Sequence, residues 1–137
     1  MKTLRVYADT SVFGGIFDDE FSVASKKFFQ EIGNGNFSLV TSAVVQKEID
    51  SAPDQVKNFF EKMVQMAEIA DISEKAISLR NSYLKANILT LKSSDDALHV
   101  ALATVSKCDL IVSWNFKHIV HFDKISLYNN IRFMTSK

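Results

Sequence analysis

An α/β fold, with a mainly parallel sheet covered by helices on both faces, is what this sequence predicts. Short apolar runs alternate along the chain with longer stretches of helical spacing, and strands separated by helices form parallel sheets. The first apolar run stops abruptly on a carboxylate, in Leu4-Arg5-Val6-Tyr7-Ala8-Asp9-Thr10-Ser11. A strand that ends on Asp9 places that acid at the carboxyl edge of the sheet, where ligands gather in open α/β folds.

Each element follows from local signals. Leu4 to Ala8 reads as a short buried strand, after which Thr10 and Ser11 supply hydroxyls suited to capping the next helix. A turn at Gly14-Gly15 and the acidic stretch Asp18-Asp19-Glu20 lead into a helix from about Ser22 to Ile32. Gly33-Asn34-Gly35-Asn36 stops it. Phe37 to Val40 is a second strand, and Thr41 or Ser42 caps a helix that carries Val44, Val45, Glu48 and Ile49. Ser51-Ala52-Pro53 breaks that helix, and Pro53 suits the first turn of the next, which runs to about Met66. Ala67 to Ala70 is a short third strand. Ser73 begins a helix through Ala76, Ile77, Leu79, Arg80 and Tyr83. Ser93 or Ser94 caps an almost wholly apolar helix from Asp95 to Val105. Asp109 to Ser113 is the next strand, and Ile131 to Met134 adds a last one.

Composition restricts the function. The chain has 137 residues, of which 47% are hydrophobic, enough for one core. With 11 Phe against 4 Gly and 1 Pro, disorder is excluded as the ground state. No repeat, low-complexity tract or linker divides it, so residues 1–137 are expected to form a single domain. The formal net charge is +0, so no global field draws the chain to nucleic acid or to a membrane surface. The single cysteine, Cys108, cannot form an internal disulfide and reads as a small buried residue, consistent with a reducing, cytoplasmic setting. The N-terminus lacks the apolar segment of a signal peptide, and no apolar run is long enough to span a bilayer.

The residues that could carry chemistry are acids. Asp9 alone is equally suited to capping a helix. Glu48 shares a helical face with Thr41, Val44, Val45 and Ile49, so it sits on or beside a buried stripe, where a solvated glutamate would not be placed. Asp95 and Asp96 fall in a first helical turn, where they complement the helix dipole, and Ser93 with Asp96 has the form of a capping box. The helix that follows is so apolar that it must be buried, which turns its first-turn acids towards the edge that holds Asp9. His99 lies on their face and is expected to hydrogen-bond a neighbour, because hard-cation sites prefer oxygen. Asn115 follows the strand 109–113 at the same edge. It is either a turn residue or an amide that ligates a metal or holds a metal-bound water. Lys117, His118 and His121 either face phosphate or lie in solvent. Carboxylates scattered in sequence but gathered in space repel one another, and a hard divalent cation relieves that repulsion.

Taken together, Asp9-Thr10-Ser11, the stretch from Ser42 to Glu48-Ile49, and Asp96-Ala97-Leu98-His99-Val100-Ala101 resemble the acidic signature of PIN-domain proteins, the VapC-like toxins of toxin–antitoxin pairs above all. The resemblance spans nearly the whole chain. It implies a three-layer α/β/α sandwich and a metal-dependent endoribonuclease that uses Mg²⁺ or Mn²⁺, forms a homodimer and pairs with an antitoxin protein. On this resemblance Asp9, Glu48 and Asp96 are the metal-holding and catalytic acids. Thr10 or Ser11 is the accompanying hydroxyl, and Asp95 lies just outside the ligands. Asn115 stands where many relatives carry a further acid, which removes one negative charge. The alternative reading is therefore a weakened or inactive PIN-like module that binds RNA or protein. Haloacid-dehalogenase-like phosphatases fit less well, since they need a second Asp where Ser11 stands. Receiver domains need a pair of acids near the end of the first strand. A partner surface is expected to use a subset of Phe21, Phe28, Phe29, Phe59 and Phe60, the others being core.

Overall fold

A computed structural model describes residues 3–86, 94–115 and 132–135. The chain runs β1 (Leu4–Ala8), α1 (Thr10–Gly15), α2 (Ser22–Gly33), β2 (Phe37–Ser42), α3 (Ala43–Ile49), α4 (Asp54–Val64), β3 (Glu68–Ala70), α5 (Glu74–Lys85), α6 (Ser94–Val105), β4 (Leu110–Ser113) and β5 (Arg132–Thr135). The five strands form one sheet in the order β3-β2-β1-β4-β5, and every pair is parallel.

Alternation along the strands divides the core in two. Val6, Ala8, Leu39 and Val112 pack with Val12, Phe13, Phe28, Phe29, Val45, Phe60 and Met63, so α1, α2 and α4 cover one face. Tyr7, Val40 and Ile111 point the other way and pack with Ala76, Tyr83, Val100, Ala101 and Leu102, which places α5 and α6 on the opposite face. α3 contributes to both through Val44 and Val45. The result is the expected three-layer α/β/α sandwich. The period of two that sends neighbouring strand residues to opposite faces is why β1 needs an apolar residue at each of positions 6, 7 and 8.

Most helix boundaries lie where the capping chemistry puts them. Ser42 Oγ accepts from Val45 N, and Ser73 Oγ accepts from Ala76 N. Gly35 takes a positive φ of 82° after α2, the conformation that glycine adopts without steric cost. Three boundaries differ from the sequence reading. Thr10 and Ser11 do not cap α1 but begin it, because Asp9 itself is the N-cap and accepts from Ser11 N. A short helix therefore fills the segment read as a turn at Gly14-Gly15. β2 runs two residues further than Val40, since Thr41 and Ser42 pair with Ile69 and Ala70 of β3. Pro53 precedes α4 as its N-cap. Ser93, Lys117, His118 and His121 lie outside the described residues.

Of the five phenylalanines expected to divide between core and partner surface, three are core. Phe28, Phe29 and Phe60 are buried in the core, and Phe21 and Phe59 are half-buried against it. Phe13 is the hub: its ring meets Phe29 at 5.3 Å and Phe60 at 4.9 Å between centroids. On the sheet edge Arg5 reaches over β2 to make a two-pronged pair with Glu68, at 2.8 and 3.1 Å, and donates to Ser106 O. Among the described residues no helix is long and apolar enough to cross a membrane.

Two predictions follow from this packing. Phe13→Ala, which empties a fully buried site, should cost about 3–5 kcal/mol in urea unfolding. Substitution of Val23, which is 82% exposed, should stay within about 0.5 kcal/mol. The second concerns acid. The hydrogen bond from Arg5 holds the Glu68 carboxyl below its ordinary range against a small opposing effect of burial. A depressed folded pKa gives stability that is present above the unfolded value and lost as pH falls through the folded one. Glu68→Gln should therefore lower stability slightly at pH 7, by at most about 1 kcal/mol in low salt, and make no difference at strongly acid pH.

Candidate metal and nucleic-acid site

The strand order reverses direction around β1. The chain builds β2 and β3 on one side and then returns to place β4 and β5 on the other. A crevice opens between the carboxyl ends of β1 and β4, the place where parallel sheets bind ligands. Asp9 stands at the mouth of this crevice, and its backbone N–H still reaches Val112 O of β4.

Asp9 is only 3% exposed, and both its oxygens are oriented by neutral donors. Oδ1 accepts from Ser11 N at 3.1 Å and Ser11 Oγ at 2.6 Å, and Oδ2 accepts from Ser113 Oγ at 2.5 Å. These serines are themselves fixed from β4's exit: Trp114 N donates to Ser11 Oγ and Asn115 N donates to Ser113 Oγ. The ends of β1 and β4 are thus joined through one carboxylate. Burial pushes the Asp9 pKa up. The field of His99 and the bonds from Ser11 and Ser113 pull against that, while Glu48 adds to the rise. Ser113 carries no obvious signal in the sequence; only its place at a strand end beside another strand end could have found it.

Glu48 turns inward from α3 at the edge of its apolar stripe. Its Oε1 accepts a short hydrogen bond from Thr10 Oγ1 and faces His99 Nε2 at 3.2 Å. His99, on α6, is buried and contacts the Tyr7 hydroxyl through Nδ1 at 2.7 Å. Tyr7 in turn lies 2.8 Å from Ser42 Oγ, which accepts from Val45 N. The series begins and ends on α3, because Val45 and Glu48 belong to the same helix. A proton on Nε2 serves Glu48, and in the neutral ring Nδ1 then accepts from Tyr7. The His99 bond is the main reason that the Glu48 carboxyl is held below its ordinary range, with Thr10 adding to it and burial opposing. For His99, burial opposes the charged ring, but the Glu48 bond and the fields of Asp9, Glu48 and Asp96 outweigh it and raise its pKa. His99 thus bonds neighbours, as the sequence implied. Tyr7, a polar group inside an apolar strand, was the unread signal for this network.

Asp95 is exposed and Asp96 half-buried, both in the first turn of α6. A cavity of about 680 Å³ gathers Asp9, Thr10, Ser11, Glu48, Asp95, Asp96, His99 and Asn115 into one lining. All the residues singled out from the sequence as metal-holding, catalytic or neighbouring therefore border one space, though they span more than a hundred positions. Phe17, Phe21 and Trp114 form its other wall, together with Gly14 and Gly15.

The donors suit a hard cation: carboxylates and hydroxyls, with Asp9's charge buried among neutral groups. Among the described residues no three His, Cys, Asp or Glu side chains are grouped closely enough to enclose an ion by themselves. Water molecules would have to fill out the coordination, as they commonly do around Mg²⁺.

The chain belongs to the PIN-domain family, whose family model, described as PIN domain, matches residues 5–117. No curated protein gives a significant match. Among solved structures, the fold is similar to a chain in the crystal structure of VapBC2 from Rickettsia felis bound to a DNA fragment from their promoter. That likeness has a TM-score of 0.68 at 14% identity and covers 96% of this chain and 98% of that one.

The electrostatics make a prediction about the metal-free protein. Asp9→Asn removes a buried charge, and its amide oxygen can still accept from Ser11. In a chelator at pH 7 the variant should unfold at a higher urea concentration than the wild type. A lower midpoint would mean that the Asp9 hydrogen bonds outweigh the burial of its charge.

Proposed function

We propose that this PIN-domain protein is a metal-dependent endoribonuclease that hydrolyses RNA phosphodiester bonds, and that it is the toxin of a toxin–antitoxin pair. PIN domains are typically nucleases, and the observation that carries the reading to this chain is the meeting of Asp9, Glu48 and Asp96 at one crevice. The antitoxin is suggested by the fold's likeness to a chain of VapBC2. A homodimer, a single domain over 1–137 and a cytoplasmic location belong to the same proposal.

Asp9 and Asp96 would hold Mg²⁺ or Mn²⁺, with Glu48 beside them and Thr10, Ser11 and Asp95 bordering the ligands. The ion would supply Lewis-acid polarisation of the phosphate and a bound water of lowered pKa. The protein's own residues do the rest. Ser11 and Ser113 fix the Asp9 carboxylate, so its oxygens need no reorganisation on binding. Glu48, oriented by His99 and Thr10, would help take a proton from the attacking water. Asp95 and Asp96 add negative charge at the mouth.

Asp9→Asn and Asp96→Asn should each abolish Mn²⁺-dependent cleavage of RNA by the purified protein while circular dichroism stays native. Equal cleavage by wild type and both variants would trace the activity to a contaminant and remove the assignment.

A second reading, a weakened or inactive module that binds RNA or protein, is favoured by two observations. Asn115 borders the cavity where a carboxylate would add charge, and Glu48 is engaged by Thr10 and His99. A Mn²⁺ titration of the purified protein separates the two readings, and Asn115→Asp tests the part played by Asn115. If Asn115 is a weak fourth ligand, calorimetry should show tighter Mn²⁺ binding, since a carboxylate brings a full charge and an amide only a dipole. Unchanged affinity would place Asn115 outside the metal's reach.

A further inference from the structure

The cavity that the acids line is also aromatic, and nothing in the hydrolytic chemistry requires it. Phe21 stacks parallel on Trp114, with ring centroids 5.7 Å apart and planes 9° from parallel. The indole beneath is fixed on every side: it is 3% exposed, and its Nε1 donates to the buried Ser25 Oγ at 2.8 Å. It lies so close to α1 that a Cβ on Gly15 would fall 2.7 Å from Nε1 and 2.3 Å from Ser25 Oγ. Gly15 is thus the residue that admits the indole. Phe21 is held at its own end by the turn in which its N–H meets Asp18 O. One of its faces is taken by Trp114, and the ring is only half-buried. Phe17 lines the same cavity, 42% exposed and edge-on to Phe59 at 6.3 Å. A Cβ built on Gly14, in that lining too, would meet open space.

This wall is tied to the acid. Trp114 N donates to Ser11 Oγ, and Ser11 Oγ donates to Asp9. A rigid aromatic surface is therefore held two hydrogen bonds from the carboxylate proposed to hold the ion. The described lining also carries Asp18, Glu48, Asp95 and Asp96, all of which repel a phosphate backbone. Base stacking is an attraction that this repulsion does not cancel, and it accepts any base, since each has a π-face.

We infer that Phe17 and Phe21, the latter backed by Trp114, form a stacking shelf for one nucleobase next to the scissile phosphate. The inference rests on the nuclease reading for the phosphate's position, but the shelf can be tested without turnover.

Phe17 is the residue to change, because its exposure makes Phe17→Ala safe for folding. With a short single-stranded RNA and Mn²⁺, Phe17→Ala should raise KM about tenfold and leave kcat within about twofold, and Phe17→Tyr should restore KM. An RNA with an abasic nucleotide beside the cleaved bond should lose about as much in wild type. It should lose almost nothing further in Phe17→Ala, as expected when both changes remove one contact. Abasic and Phe17→Ala penalties that simply add would overturn the shelf. Asp9→Asn with a 2-aminopurine RNA separates the two proposals. Fluorescence quenching that disappears when Phe17→Ala is added would support the shelf even if no preparation cleaves RNA. If no RNA binds, but Phe17→Ala frees a co-purifying protein partner, the shelf is overturned in favour of a protein surface.

Discussion

The carboxylate of Asp9 is the constraint on which the site depends. It is buried at the junction where the chain leaves β1, and it draws on donors from both the β1 and the β4 exits. Ser11 and Ser113 donate to it, and each is itself held by a backbone N–H from the residues after β4. Neutral donors orient a carboxylate without cancelling its charge. Burial therefore leaves Asp9 with a raised pKa and an electrostatic demand that a cation would satisfy. The arrangement stores a demand for positive charge at a fixed point, which is what a site prepared for a metal requires.

The two faces of the sheet serve that point differently. On the α5–α6 face, the network from Ser42 through Tyr7 and His99 fixes the second acid, Glu48, from underneath. On the α1–α2–α4 face, Gly15, Ser25 and Trp114 fix an aromatic wall against the same crevice. The core clusters are separate, yet each ends in a polar or aromatic group aimed at the crevice. Position 7 illustrates the division. Val6 and Ala8 serve one core, while Tyr7 crosses to the other and carries the hydroxyl that holds His99.

Much of this was legible because the signals are local. The strand that stops on Asp9, the glycine-rich end of α2 and the Ser42 and Ser73 caps each declare themselves within a few residues. So does the apolar run of α6, which turns Asp95 and Asp96 towards the sheet edge. The acids of the crevice could be collected from strand ends and helix faces for the same reason. What was not legible depends on contacts between distant residues. Ser113's bond to Asp9 and the Ser42–Tyr7–His99 series span 35 to 104 positions. Which of the clustered phenylalanines are core was not legible, because proximity in sequence does not reveal which helix face they share. Phe29 and Phe60 converge on Phe13 in the core, and among the described residues the exposed phenylalanine is Phe17, which the sequence did not single out.

The central claim is that this crevice binds a divalent cation through Asp9 and Asp96. Electron paramagnetic resonance of Mn²⁺ titrated into the protein at pH 7 tests it directly, since the free aqueous ion gives a sharp six-line signal that binding suppresses. Stoichiometric suppression by wild type, lost when Asp9→Asn and Asp96→Asn are combined in a protein that remains folded, is the result the account predicts. A free-ion signal undiminished by wild type, or equally diminished by the double variant, would contradict it.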